Sequence, residues 1–144
     1  MTIEDTLAQV ELFAELPRED LERLAKVTVT REYKQGDVIV EEGETGVAFY
    51  VIADGHVEVV RGLGTSEEHV VAKMGPDSFF GEMALFDNQV RSASVRALDD
   101  VKVLMLTKWD FNAELTTTGG RIAVALLAVL ARRIRTLNEA AATH

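Results

Sequence analysis

Cysteine is absent from the 144 residues. That excludes disulfides, thiolate zinc sites and cysteine nucleophiles, and makes the cytoplasm the expected compartment. Positive charge is scarce: 15 Lys and Arg against 24 Asp and Glu leave a formal net charge of −9 at pH 7. So acidic a surface repels the phosphate backbone that supplies most non-specific nucleic-acid affinity, so no direct DNA binding is expected. Long apolar runs are missing as well. The longest, Ile122 to Ala131, falls far short of a membrane span, and Met1-Thr2-Ile3-Glu4-Asp5 lacks the basic, then apolar opening of a secretory signal. Catalytic signatures are equally sparse, because His56, His69 and His144 have no metal-ligand spacing and neither GxSxG nor a P-loop occurs. No catalytic residue, metal or cofactor is expected, and the chain reads as a non-enzyme.

What is present is material for a core: 47% of residues are hydrophobic and 27% charged, the balance of a folded domain. The length suits one domain over 1–144. Residues 1–26 read as helices, with Ile3, Leu7, Val10 and either Leu12 or Phe13 at near-helical spacing, and with Pro17 opening a second short helix that turns Leu21 and Leu24 inward. Residues 27–107 carry short valine-rich runs between turn residues such as Gly36-Asp37, Asp54-Gly55 and Gly75-Pro76. The expected strands are Val27–Tyr33, Val38–Val40, Ala48–Ala53, His56–Arg61, His69–Lys73, Ala93–Ala97 and Val101–Leu106. Many short strands with glycine turns, flanked by helices, predict an α+β chain built on a β-roll or jelly roll, the double-stranded β-helix.

Residues 108–144 return to a helical period. Trp109, Phe111 and Leu115 fit a short helix, and Gly119-Gly120 separates it from a long one ending near Ala142. With Leu127, Ile134 and Ala141 at a positions, Ala123, Leu130 and Leu137 fall at d, roughly two and a half heptads of a coiled-coil seam. A homodimer through this helix is the expectation; packing of the same stripe against its own domain is the alternative. Arg121, Arg132, Arg133 and Arg135 face only Glu139 on it, either as solvated flanks of the seam or as a docking strip for an effector.

The segment from Gly75 to Val95 is neither strand nor long helix. Gly81 allows close backbone approach, and Glu82-Met83-Ala84-Leu85 can form one turn whose amides would point at an anion. Arg91 offers a planar fork for bidentate phosphate contact with the Ser92 hydroxyl beside it. Glu82 would repel a phosphate unless it serves another part of the same ligand, such as a sugar hydroxyl. A simple Glu82–Arg91 ion pair across a turn is the competing structural reading.

The run FGEMALFDNQVRSASV, Phe80 to Val95, resembles the phosphate-binding cassette of cyclic nucleotide-binding domains, here spanning 79–95. Gly36-Asp37-Val38-Ile39, Glu42-Gly43-Glu44 and Phe49-Tyr50-Val51-Ile52 with Gly55 extend the resemblance over nearly the whole chain. It implies that Glu82 holds a ribose 2′-hydroxyl, that Arg91 and Ser92 hold the cyclic phosphate, that the amides of Met83 and Ala84 add donors, and that Gly81 permits the turn. Val47 stands where the family often has Asp, and Asp77-Ser78 replaces the common Gly-Asp. The resemblance implies cAMP as ligand, cGMP being the alternative, and a last helix that moves on binding. That helix is similar to the dimerisation helix of catabolite-activator-type regulators, which would bring Leu137 and Asn138 near the base. Those regulators continue into a helix-turn-helix module, for which this chain has no room. A free-standing cytoplasmic sensor gating an unidentified effector is therefore expected. The other readings are the sensory piece of a larger regulator and a structural or dimerisation module with an inactive cassette.

Overall fold

The chain begins with a reciprocal cap. The Asp5 amide donates to the Thr2 hydroxyl at 3.2 Å and the Thr2 amide to the Asp5 carboxylate at 3.0 Å, which starts α1 (Ile3–Ala8). The Arg18 guanidinium on Asp5 holds its carboxyl well below the usual carboxylate range. The expected single periodic stretch over 3–14 is broken, because Val10 adopts an extended conformation and Glu11–Phe13 forms a separate 3₁₀ turn. Pro17, with φ already near the helical value, caps α2 (Arg18–Val27), whose Leu21 and Leu24 are buried as expected. Val27 closes this helix and does not start a strand.

The computed structural model describes residues 2–85, 88–117 and 120–142, with the side chains of Glu82, Met83 and Ala142 outside that description. Its strands are β1 (Val29–Tyr33), β2 (Val38–Val40), β3 (Ala48–Asp54), β4 (Val57–Arg61), β5 (His69–Met74), β6 (Phe79–Phe80), β7 (Ser94–Ala97) and β8 (Val101–Thr107). They form two antiparallel sheets, β1-β8-β3-β6 and β2-β7-β4-β5, in the jelly-roll fold. Strand periodicity sorts the core into two layers. On β3, Phe49 and Val51 face the helices, while Ala48, Tyr50 and Ile52 face the second sheet; on β8, Leu104 and Leu106 oppose Val101 and Val103 in the same way. β3 and β8 of the first sheet therefore form the middle layer, buried on both faces, with Phe49 edge-on to Phe13 at 5.5 Å, while β1 at the edge is exposed.

Helix α3 (Lys108–Thr117) buries Phe111, and α4 (Arg121–Ala142) buries Ile122, Leu126 and Val129 against the helical side of the core. Two acids of the N-terminal segment anchor α4. Asp20, only 1% exposed, pairs with Arg121, and Glu15 pairs with Arg132, so two of the four arginines on this helix are bound to their own domain. The heptad positions divide: Ala123 and Leu130 are half-buried, whereas Leu127, Ile134 and Leu137 are 64%, 59% and 69% exposed. Among the described residues no single helix is long and apolar enough to cross a membrane.

Candidate functional site

Two connections fold together to make the site. After β5 the chain turns at Asp77, whose φ of +71 is a left-handed conformation that glycine enters freely and aspartate tolerates. The Asp77 amide and the Ser78 carbonyl bond to the backbone of Ile52, which sets β6 beside β3 with Phe80 opposite Tyr50. Gly81, at φ +81, then turns the chain into a 3₁₀ helix over Glu82–Leu85, where Ala84 and Leu85 are buried. The return strand is stitched to the β2–β3 connection. Val90 bridges Thr45, the Gly46 amide donates to the Gln89 carbonyl at 3.2 Å, and the Arg91 amide donates to the Glu44 carbonyl at 2.7 Å.

This docking brings the Arg91 side chain across β3. Its Nη2 donates to the Ala48 carbonyl at 2.6 Å, and its Cζ lies 5.9 Å from the centre of the Tyr50 ring. Glycines make the room: a Cβ at Gly46 would come within 3.1 Å of the guanidinium carbon, and one at Gly81 would collide with Nη1 and lie 2.9 Å from the Ala48 carbonyl. Burial pushes the Tyr50 phenol above its ordinary pKa, so the ring stays neutral beside the cation.

In front of Arg91 is a cavity of about 270 Å³, close to the lower end of small-molecule pockets. Val40, Val59 and Val95 of the second sheet line it, together with Gly81, Ala84, Arg91 and Ser92. Mostly apolar walls with one arginine, one serine and one glutamine, Gln89, suit a small ligand that joins an anionic end to a flat, weakly polar body.

Of the residues singled out from the sequence, Gly81, Ala84, Arg91 and Ser92 meet at this cavity. The backbones of Glu82 and Met83 lie in the adjoining 3₁₀ turn, while their side chains fall outside the described residues. The Ala84 amide donates to the Gly81 carbonyl at 3.0 Å, inside the turn. Asn138 is exposed on α4 and is not among the cavity residues; Leu137 lines instead a groove with Glu11, Ala14 and Glu15. No described residue of the last helix lines the cavity of its own chain; its buried stripe packs into the helical side of the core. Sequence reasoning did not single out Gly46, the Ala48 carbonyl or the Tyr50 ring as parts of the site.

The profile of the cyclic nucleotide-binding domain matches residues 30–118. The chain belongs to the cyclic nucleotide-binding domain family. It is 37% identical over 124 residues to the cyclic AMP receptor protein of Thermus thermophilus, covering 86% of this chain and 57% of that protein. Over 110 residues it is 38% identical to the cAMP-dependent protein kinase regulatory subunit of Debaryomyces hansenii, covering 76% of this chain and 23% of that one. Among solved structures, the N-terminal domain of a transcriptional regulator from Streptomyces coelicolor A3(2) matches with a TM-score of 0.87 at 34% identity, covering 94% of each chain. This cyclic nucleotide-binding domain thus spans little more than half of one full-length relative and about a quarter of the other. The matched span contains the cavity, the cassette and nearly all of both sheets, and it ends just after α3.

Proposed function

We propose that this cyclic nucleotide-binding domain is a non-catalytic cytoplasmic sensor that takes cAMP into the cavity and signals through α4. The observation that carries the reading is the fixed Arg91 guanidinium at a cavity whose walls are mostly apolar, with Ser92 and Gln89 beside it. Arg91 and the Ser92 hydroxyl hold the cyclic phosphate, Glu82 takes the ribose 2′-hydroxyl, and the purine lies along Val40, Val59 and Val95. Gly81 permits the turn, the Met83 amide adds a donor, and the Ala84 amide contributes once it is shared with the Gly81 carbonyl. The serine after the arginine favours cAMP, with cGMP as the competing ligand. At one hundred times its dissociation constant a ligand adds roughly 2.7 kcal/mol to the folded state, and cAMP should raise the melting temperature by about 8 °C. An unchanged melting temperature at millimolar cAMP would favour the structural module with an inactive cassette.

The signal leaves by α4, because that helix is tied to the domain by a narrow stripe and two ion pairs and presents its second apolar stripe outward. A second copy of the chain is the partner that stripe fits, and a dimer would let Asn138 of one chain approach the base bound by the other. Sedimentation should give twice 15.8 kDa for the wild type and a single chain for the double variant Leu127→Glu, Ile134→Glu. A monomeric wild type at tens of micromolar would contradict the dimer. The effector acts downstream of that helix, and the net charge of −9 disfavours DNA as the direct target.

A further inference from the structure

We propose that Tyr50 is a positioning residue for the nucleotide phosphate: its ring face holds the Arg91 guanidinium in the orientation that receives the anion. The proposal rests on the cAMP reading above and adds a residue that does not line the cavity.

Arginine has many rotamers, and an arginine free to swing would lose much of its binding energy on being immobilised by ligand. Arg91 is immobilised beforehand. On β3 the Ala48 backbone carbonyl accepts from Nη2, and two residues further along the Tyr50 ring lies beneath Cζ. The tyrosine is itself fixed. It is 7% exposed, sits opposite Phe80 in the β3–β6 pairing, and stacks on that ring with centroids 4.9 Å apart and planes 14° from parallel. Gly46 and Gly81 leave the guanidinium just the room it occupies: a Cβ at Gly81 would collide with Nη1, and one at Gly46 would crowd Cζ at 3.1 Å.

An aromatic face suits this task better than a carboxylate. The ring quadrupole attracts the cation without neutralising it. Burial keeps the phenol protonated, which leaves the ring neutral. A leucine offers no such attraction.

The test is equilibrium binding of cAMP to the refolded full chain carrying Y50F, Y50L, or phenylalanine with one to four ring fluorines at position 50. Fluorination drains the ring face while nearly preserving its shape, so a purely structural role would not respond to it. Y50F should bind within about twofold of the wild type and Y50L about tenfold more weakly, with affinity falling stepwise along the fluorinated series. In the background of Arg91→Lys, whose ammonium lacks the planar stack, the steps should shrink. A flat fluorinated series, or full affinity in Y50L, would overturn the role of Tyr50 while cAMP binding by the wild type stands. If Y50L fails to fold, the fluorinated series still decides. A wild type that binds no cAMP would overturn the functional reading, and this proposal with it.

Discussion

Arg91→Leu should lose cAMP affinity by about a thousandfold or more while melting within a few degrees of the wild type. The loss follows from removing a charge-assisted, bidentate contact whose partner phosphate is then left unpaired at a partly dry cavity, an effect of about 4 kcal/mol, or three decades. The fold should survive because the pairing at this position is made by the backbone. The Arg91 amide donates to Glu44 and its carbonyl accepts from Gly43, and leucine keeps both bonds. Titration calorimetry together with thermal melts checks the two halves separately. Retained affinity would mean that the cavity does not receive an anion at Arg91. A collapse of the fold would mean that the guanidinium is chiefly a strut between Ala48 and the glycines.

Phe49→Ala should cost about 3–5 kcal/mol of stability, the range for deleting a fully buried phenylalanine. Phe49 lies at the centre of the middle layer, edge-on to Phe13 and 5.7 Å from Phe79, so its removal opens a void where helices and sheet meet. The neighbours cannot close it cheaply: Phe13 is fixed in its 3₁₀ turn and Phe79 in its pairing with Val51. Urea unfolding should show the midpoint fall with little change in slope. A cost under about 1 kcal/mol would contradict the three-layer description.

Seven of the eight strands were legible, because valine-rich runs bounded by glycine turns carry their own period. The exception, β6, has two residues, Phe79 and Phe80, too few for any period to register. Val27 fell on the wrong side of a boundary because the helix continues through it, and the Thr28 hydroxyl then bonds to the Leu24 carbonyl at 2.8 Å. On α4 the sequence holds two overlapping apolar stripes, and only tertiary packing decides that Ile122, Leu126 and Val129 turn inward while Leu127, Ile134 and Leu137 do not.

At the site, Gly81, Ala84, Arg91 and Ser92 could be read together because they lie within one linear motif. Gly46, Ala48 and Tyr50 could not. They sit some forty residues upstream of Arg91 and meet it only in the fold, where the β2–β3 connection is stitched to residues 89–91. Gly46 is held there by its lack of a side chain and not by a positive φ, so no turn signal marks it. Asn138 shows the opposite case: a polar residue on a helix offers no local sign of which cavity, if any, it serves.

The central claim is that the cavity beside Arg91 takes a cyclic nucleotide. Calorimetric titration tests it most directly, using protein that has been unfolded, stripped of carried-over nucleotide and refolded, with cAMP and cGMP in separate runs. Binding of cAMP at micromolar or tighter affinity, with one site per chain, is the predicted result. No heat with either nucleotide, from protein shown to be folded, would contradict it.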